Sequence, residues 1–492
     1  MMLIKFSPSK RVGCLAAFAL LATQSIGLSA APASADRVVQ IAQGGRSDTS
    51  AVTRTIQAAI DACGTAGGGR VVIPAGDYSV APIQLCSNVE LHIDKGATLQ
   101  FSRNFADYEL MRGVGDDVEP TLRSPISGDD LSNIAITGEG VIDGQGDAWR
   151  MVKRIKLTPE AWTALVKGGG VTNAEGTMWY PNEVVRDHQG ALDKLLAANP
   201  PAPLEAFGPY RVLLRPRLLK LTNCKNVRLE GITVKNSPNW NVHLELCEDV
   251  QISRITVFTE EWAQNGDGID IESCRNVVLT DSKVDAGDDS ICLKSGKDEA
   301  GRLRGRPTEN VTIKNCSIGT GHGGIVIGSE MSGGVRDVFV ENCVMKGTGA
   351  GLRFKSVRGR GGVVENINIS DCKMTDIDGA AILFDLYYAT KKGEDAVAKP
   401  VTEATPQFRN FHLSNITCES AKLAFQIRGL PEMPVRDIVL EHIKIKADKA
   451  GMITFSDGIV CKDVHVEAAD GSLVAIQDPT QVSLASCSGF QK

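Results

Sequence analysis

Asn226-Val-Arg-Leu, Asp249-Val-Gln-Ile, Asn276-Val-Val-Leu, Asn310-Val-Thr-Ile, Asp337-Val-Phe-Val and Asn366-Ile-Asn-Ile share one phrase: Asn or Asp, an apolar residue, any residue, an apolar residue. The phrase also begins at Asn88, Asn133, Asn410, Asp437 and Asp463. From Asn226 onward the spacings are 23, 27, 34, 27, 29, 44, 27 and 26 residues. Self-similarity at a period of about 20 to 50 residues marks a solenoid, propeller or array. Within each copy the apolar residues alternate, as in Val311/Ile313 and Val338/Val340, which is the signature of a strand with one buried face. No helical pattern lies between the copies, so leucine-rich and helical repeats are disfavoured. The expected fold is all-β, a parallel β-helix with one coil per repeat. Equivalent positions then stack at the inter-strand spacing of roughly 4.8 Å.

The cysteines follow the same register. Cys224, Cys247, Cys274 and Cys461 each precede the Asn/Asp by two residues, and Cys316, Cys343 and Cys372 each follow it by six. They read as ladders of small buried residues, not as a disulfide framework. The Asn/Asp positions are expected to stack as well, at turns. A solenoid also needs its open end covered. Thr49–Cys63 can supply the cover, because Val52, Ile56, Ala59, Ile60 and Cys63 share a helical face. Asp48 or Thr49 is placed to cap its start and Gly64 to end it. Residues 146–210 interrupt the repeat with helix-like patches and three of the five tryptophans, Trp149, Trp162 and Trp179. Residues 386–408 form a second excursion. Insertions on a solenoid tend to rise from one face, often the binding face.

Residues 1–35 read as a secretory signal: Lys5, Lys10 and Arg11, an apolar run from Val12 to Leu28, and Ala33-Ser34-Ala35 before a mature start at Asp36. The apolar run is too short and too interrupted for a membrane span. The expected product is exported, periplasmic or secreted, free of the membrane after cleavage, and monomeric, with residues 36–492 forming one catalytic domain. Signal removal takes the net charge from −6 to −9. That balance argues against a nucleic-acid partner, and an acidic ligand would have to be held by a local basic patch.

The chemistry-bearing residues fall on consecutive repeats. Aligned on the shared ends of their strands, the rows are NGDGIDIES (265–273), GDDSICLKS (287–295), GHGGIVIGS (321–329) and GAGLRFKS (349–356). This register lays Asp267 over Asp289 and Asp288 beside His322, with Arg353 and Lys355 on the outward face of the next coil. The group spans about three rises, on the order of 14 Å. Adjacent carboxylates cannot all ionise cheaply, so one is expected to keep a proton. Glycoside hydrolysis needs that pairing: one carboxylic acid protonates the leaving oxygen and another carboxylate activates water or attacks. A calcium site or solvated turn is the plain alternative for any single Asp, less so for the whole group. No His/Cys spacing resembles a metal site, and no cofactor is called for. Lys294, Lys297, Arg302, Arg304 and Arg306 could add positive charge nearby, with a solvated loop as the alternative for the last four.

NGDGID at 265–270, GDD at 287–289, GHG at 321–323 and RFK at 353–355, in this order, resemble the four motifs of the polygalacturonase family of glycoside hydrolases. The similarity covers nearly the whole mature chain. It implies a right-handed parallel β-helix and an inverting hydrolysis of α-galacturonosidic bonds in pectin. By motif, Asp288 resembles the general acid and Asp267 and Asp289 the pair that activates water. His322 resembles the histidine supporting the acid. Arg353 and Lys355 resemble the groups that hold the substrate carboxylate, and Asn265 is carried over as substrate-binding. Tyr388 sits where a substrate-contacting tyrosine is expected, with Tyr387 open as the alternative. An inverting pair is expected to stand about 6.5–9.5 Å apart. Ser290 and Gly266 depart from the common pattern without removing a reacting group. The 146–210 insertion and the wording GLRFKSVRGRGG resemble bacterial exo-acting, galacturonidase-type members. A rhamnogalacturonan-directed hydrolase, a pectate-type lyase and a non-catalytic carbohydrate-binding β-helix are the alternatives.

Overall fold

The computed structural model describes residues 38–41, 48–113, 119–388, 390, 397–477 and 481–491. The signal segment and its cleavage point lie outside them. No described helix is long and apolar enough to cross a membrane.

The repeat phrase builds one wall. Lys225–Glu230, Glu248–Ser253, Arg275–Thr280, Thr308–Lys314, Val335–Glu341 and Val363–Ser370 pair in parallel, with Val227, Val250, Val277, Val311, Val338 and Ile367 in one inward row. A second parallel wall runs through Ile126–Asp129, Leu219–Thr222, Val242–Glu245, Ile269–Glu272, Asp289–Lys294, Gly323–Ile327, Leu352–Lys355 and Ile377–Asp385. Each coil crosses both walls, and one apolar core runs from Ile41 to Phe490. The fold is a right-handed parallel β-helix.

The Asn/Asp of the phrase turns the chain between walls. Asn226, Asn276 and Asn310 hold φ of 56°, 57° and 54°, a left-handed conformation that Asn and Asp adopt more cheaply than other side-chain-bearing residues. Their side chains also stack as a ladder. Asn226 Nδ2 donates to Asn133 Oδ1 at 2.7 Å, Asn276 to Asp249 at 2.8 Å, and Asn310 to Asn276 at 2.7 Å. A second ladder runs five residues later, with Asn315 donating to Asp281 at 3.0 Å and Asn342 to Asn315 at 2.9 Å. Asp463 belongs to this second ladder: it lies level with His442 and 2.9 Å from it, not over Asp437. Repeat wording alone cannot tell two turn ladders apart when both accept Asp.

All described cysteines are free. Cys224, Cys247 and Cys274 form one stack, with the Cys247 amide donating to Cys274 Sγ at 3.3 Å. Cys316, Cys343 and Cys372 form another. Cys461 leaves the expected row, because it pairs in register with Leu440 and neighbours Cys487. The capping helix spans Thr49–Thr65, with Asp48 accepting from the Ala51 amide and Ile56, Ala59, Ile60 and Cys63 buried. It runs one residue beyond Gly64, which does not end it.

The insertion folds as its own small layer. Helices Pro159–Lys167, Glu183–Asp187 and Gln189–Leu196 accompany a three-stranded antiparallel sheet of Val152–Lys153, Val171–Thr172 and Met178–Tyr180. Trp149 packs with Tyr108, Leu122 and Phe207, tying the insertion to the hairpin of Leu110–Arg112 and Pro120–Leu122.

The turn ladder can be tested at Asn310. Asn310→Ala loses an amide hydrogen bond and places a Cβ-bearing, non-polar residue at positive φ. The expected cost is about 2–3 kcal/mol in urea unfolding. Asn310→Gly should recover the backbone share and lose about 1 kcal/mol. Equal losses in both variants would show that φ is not the constraint.

Candidate active site

The second wall carries the site. Ile269 pairs with Ile291, so Asp267 lies over Asp289; Asp289 pairs with Gly323, so Asp288 lies beside His322. Glycines let these coils close up. A Cβ at Gly268 would stand 2.3 Å from the Ser290 carbonyl oxygen, and one at Gly323 would stand 2.9 Å from Arg353 Cδ. Asp267, Asp288 and Asp289 each offer an oxygen within 4.8 Å of the other two. His322 Nδ1 lies 2.9 Å from Asp288 Oδ1.

Burial separates the three carboxyls. Asp267 and Asp289 are 4% and 1% exposed, whereas the side chains of Asp288 and His322 are open to the cleft. Asp289 accepts from Arg353 Nη1 at 2.9 Å and from Lys355 Nζ at 2.6 Å. Burial works to raise its proton affinity, but Lys355, Arg353 and Lys294 outweigh it and hold the carboxyl well below the usual range. Asp267 has the opposite balance. Burial, Asp270 and Asp288 push it well above the usual range, and Lys294 only partly opposes them. Crowding and burial therefore favour the protonated form most strongly at Asp267 and least at Asp289.

The oxygens also stand closer than the spacing expected for an inverting pair. That spacing assumes carboxyls on opposite sides of the sugar. Here all three project from one wall. A near-attack axis from water through the anomeric carbon to the leaving oxygen is on the order of 5 Å long. Two carboxyls side by side can serve its two ends from a single side.

The remaining expected residues divide. Tyr388 lies over the basic pair, 4.8 Å from Lys355 Nζ and 5.8 Å from the Arg353 guanidinium carbon. Tyr387 is buried and stacked under Arg428 at 3.8 Å, away from the basic pair. Asn265 is at the rim, and its Oδ1 accepts from Arg215 Nη2 at 2.7 Å. Arg302 and Arg306 are engaged by the Gly359 carbonyl and by Glu248, whereas Arg304, paired with Glu245, lines a pocket of the cleft. Lys294 points inward to the acids, 3.9 Å from Asp267, 3.6 Å from Asp270 and 3.3 Å from Glu330.

Some residues were missed. Lys156, from the insertion, brings its Nζ to 3.5 Å from His322 Nε2. Arg215 holds the Gln264 carbonyl at 2.9 Å as well as Asn265. Nothing in their sequence spacing links them to the motifs. Asp270 was within reach, because it stands in the same NGDGID phrase and shares the outward row.

Toward the N-terminal coils the cleft opens into a pocket of ≈ 530 Å³, whose lining includes Trp240, His243, the cations Arg217, Lys297 and Arg304, and the acids Glu119, Glu245, Glu272, Asp298, Glu299 and Glu330. Beyond it the hairpin covers the wall. Met111, Thr121 and Leu122 close over the outward residues Ser127, Asp129, Lys220 and Thr222, leaving a gap of ≈ 30 Å³.

Residues 211–470 match the family model for Glycosyl hydrolases family 28. The structure of a hyperthermoactive exopolygalacturonase from Thermotoga maritima superposes with a TM-score of 0.67 at 31% identity, over 84% of this chain and 87% of that one. An endo-polygalacturonase of Pectobacterium carotovorum is 28% identical over 83% of this chain and 87% of its own. A probable polygalacturonase of Vitis vinifera is 26% identical over 86% of this chain and 76% of its own. The matched segment holds all four motif rows and every carboxyl of the cluster. The chain belongs to family 28 of the glycosyl hydrolases, enzymes that cleave glycosidic bonds.

Proposed function

We propose that this enzyme hydrolyses α-galacturonosidic bonds of pectin, with inversion, and removes galacturonate from chain ends. The observation that carries the reading is the carboxyl cluster backed by Arg353 and Lys355. Two cations beside one ionised carboxylate form a ready receptor for a substrate carboxylate, since a guanidinium offers a fork and an ammonium a point charge. Tyr388 gives the same subsite a flat wall. Substrate-carboxylate binding draws Arg353 and Lys355 from Asp289 and makes Asp289 a better base. Asp267 and Asp289 hold the water, and both act as carboxylates during attack. Asp288, in the open cleft with His322 hydrogen-bonded to it, protonates the leaving oxygen. Asn265, fixed by Arg215, lies at the sugar-binding edge.

Action at chain ends is supported by the hairpin that closes the cleft and by the insertion that brings Lys156 to His322. The likeness to both exo- and endo-named relatives does not choose between the modes. The pocket before the hairpin takes the terminal sugar, with Trp240 as a stacking face and Arg217 and Lys297 as its cations. Residues 36–492 act as one catalytic unit on an oligogalacturonide, exported and monomeric, with no cofactor.

Asp288→Asn keeps shape and loses the proton. Its kcat should fall by about 10²–10⁴-fold with KM within a few-fold. The first-formed reducing end of the wild-type product should be the β-anomer by proton NMR, with no ultraviolet-absorbing unsaturated product. An α-anomer would point to retention, and unchanged turnover would dismiss Asp288 as the acid.

The mode of action is read from products. A time course on polygalacturonate should release monogalacturonate from the first minutes, with viscosity falling slowly. Early appearance of mixed oligomers would mean that chains pass the hairpin.

A further inference from the structure

Behind the reacting carboxyls lies a buried charge group that the hydrolytic scheme leaves unused. Lys294 is 3% exposed, and its ammonium sits among three acids: Asp267 at 3.9 Å, Asp270 at 3.6 Å and Glu330 at 3.3 Å. It also lies 4.7 Å over the ring of Trp240. Asp270 is fully buried, and neither of its carboxyl oxygens has a hydrogen-bond partner. Glu330 and Trp240 line the terminal pocket, whereas Asp267 belongs to the reacting cluster. One ammonium thus stands between the pocket and the base.

We propose that Lys294 is a positioning residue whose ammonium is shared between Asp267 and Glu330, so that Glu330 competes for the charge that favours the ionised form of Asp267. The proposal rests on the reading of Asp267 as part of the water-activating pair. The surrounding groups make the competition two-sided. Burial raises the Asp270 carboxyl to about 8 against the pull of Lys294, so its claim on the ammonium weakens as pH falls below that value. Burial also acts to raise Glu330, but Lys294, its backbone hydrogen bond, Lys355 and Arg360 bring it down to about 2, so it stays charged. Burial works against the charge on Lys294, yet Cys292, Glu330, Asp270 and Asp267 together hold its proton more firmly. The other charged groups facing Asp267 are Asp288, Asp289 and, from the end of the insertion, Arg215. Glu272 faces Asp270, and Lys355 and Arg353 face Asp289.

The sign follows from electrostatics. A protonated Asp267 cannot accept from water, so activity is lost as pH falls through its titration. An opposite charge within about 4–6 Å lowers a carboxyl by about 1–3 pH units. In Lys294→Met the acid limb of kcat/KM on trigalacturonate should move up by about one pH unit. In Glu330→Gln the freed ammonium turns to Asp267, and the limb should move down by a few tenths of a unit or more. Lys294→Arg, which keeps a cation, should lie closer to wild type than Lys294→Met. A structural role would lower the plateau in both variants without moving their limbs in opposite directions. Limbs that stay at the wild-type position, or that shift the same way, would overturn the proposal. Glu330 is partly exposed, so Glu330→Gln reads the effect even where Lys294→Met fails to fold. The underlying assignment is checked separately with Asp267→Ala and azide, a nucleophile that needs no base. Azide should restore turnover and form a galacturonosyl azide. No rescue would remove Asp267 as a base whatever the limbs do.

Discussion

In-register stacking of the coils is the constraint on which the rest of the molecule depends. Residues 20 to 40 positions apart become neighbours only if every coil closes at the same place and the next coil begins one strand spacing away. Asn and Asp in left-handed turns make that closure, and their side-chain amides bind each coil to the last. A slip of one residue would turn an inward row outward. It would also scatter the carboxyls, since Asp267 and Asp289 meet only through the pairing of Ile269 with Ile291. Apolar rows supply most of the burial, and the turn ladders supply the register.

The site built on this frame keeps its charges in unequal states. Three carboxyls share a few ångströms, yet Asp289 is clamped by two cations at hydrogen-bond distance while Lys294 stands 3.9 Å from Asp267. Buried ion pairs seldom add much stability by themselves, because desolvation offsets the attraction. Their value here is selectivity among protonation states. One carboxyl is pushed toward its ionised form by two cations, one is pushed toward its protonated form by burial and acidic neighbours, and one is left at the cleft surface beside a histidine. On the proposed reading, a substrate carboxylate entering at Arg353 and Lys355 would perturb the arrangement at its most strongly paired point.

Much of this was legible in the sequence because a solenoid converts linear spacing into spatial contact. The repeat phrase announced the coils, and aligning four strand ends was enough to place Asp267 over Asp289 and Asp288 by His322. The illegible parts are those that do not follow the repeat. Lys156 and Arg215 reach the site from an irregular layer whose position depends on packing among Trp149, Tyr108 and Phe207. The closed end of the cleft depends on a hairpin with no motif. The burial of Asp267 and Asp289 is not legible in the register either, because an outward-pointing side chain on a sheet is exposed only if nothing covers it. Asp463 was placed on the wrong ladder because two turns of the coil accept the same residue types.

The claim that three acids on consecutive coils form a single reacting centre is tested most directly by a crystal structure of Asp288→Asn soaked with trigalacturonate. The expected complex has the scissile oxygen about 3 Å from the residue 288 side chain, a substrate carboxylate on Arg353 and Lys355, and a water held between Asp267 and Asp289. A sugar chain seated away from these side chains, or a scissile bond beyond hydrogen-bond reach of position 288, would contradict it.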